Sequence, residues 1–468
     1  MCAQLLYDDT GFSTEDSCRY TGFHYVDWIF DGEDILYVPR TGYRGADSFH
    51  NANRVTYKVI ENYAAVCSPA ASPAQKHDDG MASPGARGLP PHAPEGVPLF
   101  RAGDMGYASF RGTVLLQEVG RPWLIGFACG RSNGGGDVSG RDLYLRRSSD
   151  GGRSFDKARQ WARVSNESLL AGDGVYMGSA VFDTTTNTSM IFWGHCLEKC
   201  AGQHGNPRRS NETVWAAPSF MMTRSTDSFE TWTTENLTAI NDPEVFPENT
   251  YGYGLQDPTT GDILFCGPYT MKGAAGCMVS YDGGHHFSAL PLVSPPPALT
   301  EHSWSEQQMT RLTPLGSKHL MMLGHGHGNT KASSDFLISF SDSFGKSWTK
   351  PSQLAAVRQP GCQGSLLAVG DTVVVSHPNN GTGYLPDNHD PARNHMTLSY
   401  SRRGWESGST WRHHLVYAGF SGYSAMQDLS VGSAGEAAVG LIYERGKKRF
   451  DEDVWVAVVP LRALNGSG

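Results

Sequence analysis

Five stretches of this sequence end in variants of one short phrase: Ser, any residue, Asp, any residue, Gly, any residue, Ser or Thr, then an aromatic. The two cleanest copies occupy 148–155 and 280–287. The copy at 225–232 lacks the glycine, that at 341–348 has Asp342 one place early, and an eroded copy at 401–411 has no aspartate. Each part has a job in a tight hairpin. The aspartate accepts backbone N–H bonds within its own turn, the glycine takes a positive φ, and the aromatic packs the hairpin against the next sheet. A recurrence roughly every 55 to 75 residues predicts a β-propeller, since a four-stranded blade cannot bury both faces alone.

The rest of the chain fits that expectation. At 468 residues it exceeds one ordinary compact domain, whereas a closed propeller accommodates this length as a single unit. Short apolar runs alternate with Gly, Asp and Asn turns from about 99 to 465, at 112–116, 123–128, 142–146, 189–193, 263–265, 320–323, 372–375, 438–443 and 454–459. Helical periodicity of any length is absent. About 365 residues at roughly 60 per blade predict an all-β, six-bladed propeller over 99–465.

Residues 68–98 are rich in Pro, Ala, Ser and Gly and nearly free of large apolar side chains. Such a stretch cannot bury enough surface to offset its ordering entropy, so it is expected to be a disordered linker. It separates a β-rich front segment, 1–67, with strand-like runs at 24–30, 34–38 and 54–60. Those are too few strands for an independent sheet protein.

Charge and cysteines bound the partners and the compartment. A net charge of −9 with no basic stripe argues against nucleic acid. No apolar run reaches the ~18 residues needed to cross a bilayer, and the first residues lack a signal peptide's basic start and apolar core. Sequons at Asn166, Asn187, Asn211, Asn236, Asn380 and Asn465 nevertheless lean towards a secretory, extracellular or lysosomal address over a cytoplasmic one. The nine cysteines include two pairs close enough to bridge, Cys196/Cys200 and Cys266/Cys277. His195 and His204 beside the first pair raise a zinc reading, but the spacing fits no common site and no metal is expected.

Between the repeats, a series of motifs resembles the exo-α-sialidase (neuraminidase) family over nearly the whole body. SFRGTVLL, FACGRSNGGGD and LYLRRSSDGGRSF resemble that family's opening blade, with Arg111, Arg131, Asp137 and the first Asp-box in order. SEQQM, LMMLGHGHG, GCQGSLLAV, SHPNN, RNHMTLSYS, SGYSAMQDL and GLIYERG follow in the family's sequence. The front segment likewise looks like the closing blade of such a propeller, as a truncated tandem copy, an incomplete reading of the gene, or a strand-adding packing module.

The resemblance implies a retaining glycosidase that removes terminal sialic acid, or a related 2-keto sugar acid, from glycoproteins, glycolipids or oligosaccharides, as in ganglioside and oligosaccharide catabolism. Such a sugar carries a carboxylate on its anomeric carbon, which planar guanidiniums bind through paired charge-assisted hydrogen bonds. It also repels a carboxylate nucleophile, so the family attacks with tyrosine. The implied roles are Tyr423 as nucleophile, Glu306 as its base and Asp137 as acid/base. Arg111 and Arg393, with His325, would form the carboxylate clamp, Glu444 would hold Arg111, and Arg131 would line the acetamido side. Gln363 and Tyr269 are candidates for the pocket wall, and Arg146 and Arg147 read as structural. No cofactor is required, although some relatives carry a loop calcium.

The pattern departs from the family at two places. His325 stands where the middle arginine of the triad is expected, and Gly112-Thr113 follows Arg111 in place of Ile-Pro. Losing one fork-like partner from a carboxylate clamp costs about 1.5–3 kcal/mol. Three outcomes follow: a sialidase with weakened or pH-dependent carboxylate binding, an enzyme for a related sugar acid, or a sialic-acid-binding, lectin-like propeller without turnover.

Overall fold

A computed structural model gives the architecture. It describes residues 22–31, 34–42, 54–55, 58–60, 96–131, 140–163, 174–196, 219–238, 252–269, 274–294, 303–312, 319–327, 335–379, 393–402, 410–430 and 437–464. The chain divides into two units, Met1–Gly88 and Leu89–Gly468. In the first, β1 (Gly22–Asp31) pairs antiparallel with β2 (Asp34–Gly42), and β3 (Arg54–Val55) and β4 (Lys58–Ile60) both pair with β2. The strand-like runs of the front segment thus form one sheet. The part of the linker before residue 96 lies outside the described residues.

The second unit opens with β5 (Val97–Phe100), whose first two residues fall inside the segment read as linker. Four sheets follow. The first is β6 (Ser109–Gln117), β7 (Leu124–Arg131), β8 (Gly140–Ser148) and β9 (Arg159–Arg163). The second is β10 (Gly174–Asp183), β11 (Thr188–Cys196), β12 (Ser219–Ser225) and β13 (Thr233–Asn236), with β14 (Gly252–Tyr253) parallel to β10. The third is β15 (Leu255–Gln256), β16 (Ile263–Tyr269), β17 (Ala274–Ser280) and β18 (Ser288–Ala289). The fourth is β19 (Ser303–Arg311), β20 (Leu320–His327), β21 (Asp335–Ser341) and β22 (Ser352–Arg358).

The remaining strands form one continuous seven-stranded sheet where separate blades were expected. They are β23 (Ser365–Val369), β24 (Thr372–Pro378), β25 (Asn394–Arg402), β26 (Arg412–Asp428), β27 (Ala438–Gly446) and β28 (Asp453–Pro460), with β5 on the outside. The physical reason is β26. This 17-residue strand pairs with β25 through its first half and with β27 through its second, so no loop separates two blades there. The arrangement is all-β and propeller-like, with four separate blades plus this larger sheet. Only a short α1 (Leu461–Leu464) ends it.

Hydrophobic clusters fall between successive sheets. Phe127, Trp161 and Trp193 join the first to the second, Phe192 and Phe265 the second to the third, and Leu264 and Leu337 the third to the fourth. The last cluster packs Val454, Val456 and Leu99 against Phe110 and Tyr144, which returns the chain's end to its first sheet. Antiparallel pairing of β5 with β28 seals that junction. It requires Gly96: a Cβ there would lie 2.1 Å from the Val456 carbonyl oxygen, and its φ is +88°.

The recurrent phrase always lies between the third and fourth strands of its sheet. In the first copy Asp150 Oδ1 accepts the N–H groups of Arg153 and Ser154, each at 3.0 Å, while Ser148 Oγ accepts that of Gly152 at 2.8 Å. Phe287, which ends the second good copy, packs on Phe192. Where the glycine is missing the backbone still demands its conformation: Ser228 and Phe229 sit at φ 58° and 59°. In the fourth copy Ser343 takes the aspartate's place, accepting the Ser347 N–H at 3.0 Å. Arg147 ties the first turn to the next blade through Asp156 at 3.1 Å and the Ser228 carbonyl at 2.9 Å, a structural role.

Burial alone would raise the Asp282 carboxyl, but the His286 ring, the turn's N–H group and Ser280 hold it down to about 2. Because its folded pKa is depressed, the stabilisation it gives is complete above the ordinary aspartate value of about 3.9 and is lost as pH falls through 2. Asp282→Asn is therefore expected to lower the thermal midpoint at pH 7, with the gap from the parent closing between pH 4 and pH 2. A gap that does not change with pH contradicts this account of the turn.

Of the two cysteine pairs, Cys266 and Cys277 are bridged across β16 and β17, where they lie directly opposite each other. The Cys196 side chain and Cys200 lie outside the described residues. No helix among the described residues is long and apolar enough to cross a membrane.

Candidate active site

The strands at the centre of the second unit share one irregularity. β6, β10, β19 and β26 each carry an extra residue against the neighbouring strand, at Arg111/Val114, Met177/Ala180, Ser305/Gln308 and Ser421/Ser424. Such bulges bend a strand and re-aim its side chains. Three begin with glycine: Gly112, Gly178 and Gly422. At Gly178 and Gly422 a Cβ would come within 2.4 Å of Phe192 O and Glu444 Oε2 respectively. The fourth begins with Glu306, which holds the left-handed conformation at φ 53°. A non-glycine residue there costs on the order of 1–3 kcal/mol, a strain that clusters at functional positions.

Glu306 bridges two side chains from other strands. Its Oε1 accepts the Tyr423 hydroxyl at 2.5 Å, and its Oε2 lies 2.7 Å from His325 Nε2 on the adjacent β20. Tyr423 occupies the bulge of β26, so two bulges aim the phenol and the carboxylate at each other over 117 residues of sequence. His325 is 1% exposed and its ring is engaged with the carboxylate.

Glu444 organises the other side. Its Oε1 accepts Arg111 Nε at 3.0 Å and the Gly112 N–H at 3.2 Å, and its Oε2 accepts the Tyr423 N–H at 3.0 Å. This fully buried carboxylate thus joins β6, β26 and β27. The Arg111 guanidinium lies 4.8 Å from the centre of the Tyr423 ring, and that of Arg393 5.8 Å from the same ring. Arg393 donates from Nη2 to the Gly361 carbonyl at 2.8 Å. Burial lowers the Arg393 guanidinium, but Cys362, Tyr423 and Glu306 more than offset this, so its pKa stands above the ordinary arginine value and its charge is permanent. Burial pushes the neighbouring Cys362 thiol up to about 12.

The structure therefore brings together Tyr423, Glu306, His325, Arg111, Arg393 and Glu444. Gln363 is fully buried and spends its amide on the Ser424 backbone, accepting the N–H and donating to the carbonyl, each at 2.9 Å. Its bonds hold the bulged strand beside Tyr423. Arg131 ends β7 opposite Ser109, two positions from Arg111 on the paired strand, with its side chain 3% exposed. Asp137 and the Tyr269 side chain lie outside the described residues.

Sequence reasoning missed Phe450. It stands in the turn between β27 and β28, 6% exposed, with the Arg393 guanidinium 4.8 Å and the Arg111 guanidinium 5.4 Å from its ring centre. The available signal was a single aromatic within the charged run KKRFDED.

No family model matches the sequence. A curated sialidase from Bacteroides fragilis (strain YCH46) is 25% identical over 378 residues, which is 75% of this chain and 62% of that protein. The chain thus spans less than two thirds of that relative. Among solved structures, the Hadza microbial sialidase Hz136 superposes with a TM-score of 0.60 at 20% identity, over 79% of this chain and 69% of that one. The intramolecular trans-sialidase of Ruminococcus gnavus, in complex with oseltamivir carboxylate, gives 0.60 at 14% identity, over 82% and 100%. A Streptococcus pneumoniae NanB sialidase mutant gives 0.60 at 12% identity, over 94% and 83%. The chain is sialidase-like in sequence and in fold.

Proposed function

We propose that this chain is a retaining exo-α-sialidase, acting on terminal sialic acids or a related 2-keto sugar acid of glycoproteins, glycolipids or oligosaccharides. The observation that carries the reading is the 2.5 Å bond between the Tyr423 hydroxyl and Glu306, framed by two guanidiniums. A free phenol, with pKa near 10, is a weak nucleophile until a base removes its proton. Glu306 stands where it can take that proton as the phenol oxygen attacks the anomeric carbon. Asp137 protonates the departing aglycone oxygen. In the second step Asp137 takes a proton from water, the water oxygen attacks the same carbon, and the phenol leaves with the proton returned by Glu306. Two displacements give net retention.

The pair of guanidiniums supplies the carboxylate clamp. Arg393 Nε has no hydrogen-bond partner among the described residues, and an anion bound beside it would supply one. His325, engaged on Glu306, stands where a third guanidinium would otherwise contribute. A lectin has no need of a phenol paired to a carboxylate, which favours turnover over binding alone. In this reading the seven-stranded sheet counts as two blades sharing β26, which brings the propeller to six, and the turns at Asp150, Asp227 and Asp282 are the family's Asp-boxes.

The test is release of 4-methylumbelliferone from its α-sialoside by the purified chain, with the anomer of the released sugar followed by NMR. Release with retention across pH 4–8 is expected. A folded chain that binds sialic acid and releases nothing at any of these pH values would establish the lectin instead.

A further inference from the structure

The geometry points to Phe450 as a positioning residue of the substrate-carboxylate clamp, a role that rests on the sialidase reading of the site. Arg111 and Arg393 are like charges held near one another, and only Arg111 has Glu444 as a direct counter-ion in this cluster. Both guanidiniums instead lie over the same two rings: Arg111 at 4.8 Å from Tyr423 and 5.4 Å from Phe450, Arg393 at 5.8 Å and 4.8 Å. An aromatic face carries the negative lobe of the ring quadrupole and attracts a cation within about 6 Å. Tyr423 has a second task as nucleophile. Phe450 carries no functional group, so its contribution is placement.

The turn is built to deliver that ring. Its backbone is closed by Glu452, which accepts the N–H groups of Lys447 at 2.8 Å and Lys448 at 3.2 Å, and Arg449 pairs with Asp451 through two 3.1 Å bonds. The Glu452 carbonyl accepts the Phe110 N–H at 3.3 Å, which fixes the turn to the strand that carries Arg111. Phe450 is the one apolar side chain of the seven-residue run KKRFDED, and it is buried. Gly422 leaves room for it: a Cβ there would meet Phe450 Cδ2 at 2.7 Å. Phe450 thus packs on the residue before Tyr423 and on both arginines, coupling nucleophile and clamp.

Phe450→Leu keeps the bulk and removes the π face. The expected result with the 4-methylumbelliferyl α-sialoside is a KM raised roughly 5- to 30-fold, with kcat within about threefold of the parent and a thermal midpoint only modestly lowered. Phe450→Tyr should restore the parent KM. Replacing Phe450 by phenylalanines of increasing ring fluorination keeps shape while weakening the quadrupole, and log KM should rise steadily along the series. A flat series in an active enzyme, or a Leu variant whose loss lies in kcat and thermal stability with KM untouched, overturns the assignment. If the parent neither cleaves nor binds the sialoside, the sialidase reading falls by itself. The Nε–H resonances of Arg111 and Arg393 still decide the placement: they shift when Phe450 becomes Leu if the ring covers them, and unshifted resonances refute it.

Discussion

Tyr423→Phe is expected to lower kcat on an α-sialoside by about 10³-fold or more while KM stays within a few fold. The phenol oxygen is the atom that forms the glycosyl–enzyme bond in the proposed reaction, and phenylalanine keeps the ring under the Arg111 guanidinium while deleting that atom. Glu306 retains its bond to His325 at 2.7 Å, so the variant leaves no stranded charge and folds as the parent does. Release of the fluorescent aglycone measures the effect. A kcat within tenfold of the parent would show that another group attacks the sugar, and the site would have to be read again from Glu306 outwards.

Glu444→Ala carries the largest expected effect on stability. Its carboxylate is fully buried and takes bonds from Arg111 Nε, the Gly112 N–H and the Tyr423 N–H. Removing it leaves the 3%-exposed Arg111 guanidinium without that counter-ion. The expected loss is about 3–5 kcal/mol in urea unfolding, the usual result of breaking a buried pair from one side. In the proposed reaction sialoside turnover falls with it, because the same carboxylate holds Arg111 and the Tyr423 N–H. Glu444→Gln, which keeps an acceptor, should lie between the two. A stability change below about 1 kcal/mol for the alanine variant would mean that Arg111 is held by other contacts.

The parts of the fold legible in sequence are those whose signal is local. The turn phrase could be read because its function is confined to eight residues: Asp150 satisfies its own turn, and the aromatic needs only the neighbouring sheet. The regular strands were legible through short apolar runs, so 189–193, 320–323 and 438–443 all fall within strands. Of the four bulged strands only β6 was, through the run 112–116. An extra residue at Glu306 or at Tyr423 breaks the period of two that identifies a strand, so β19 and the second half of β26 gave no clean pattern. The candidate site was therefore reached through motif resemblance, with periodicity silent there. The blade boundary at β26 was illegible for the opposite reason: an uninterrupted strand leaves no turn to mark it. The positions of Gln363 and Phe450 depend on contacts to residues 61 and hundreds of positions away, such as Ser424 and Arg111, which no spacing rule encodes.

Covalent trapping tests the central claim most directly. The probe is 2,3-difluorosialic acid, whose anomeric fluorine is the leaving group and whose second fluorine slows the displacement that follows. Incubating this chain with the same compound, followed by intact mass and peptide mapping, should give one fluorosialyl adduct on the Tyr423 phenol oxygen, absent in Tyr423→Phe. An adduct on Glu306 or another side chain, or an active enzyme that forms none, would contradict the account.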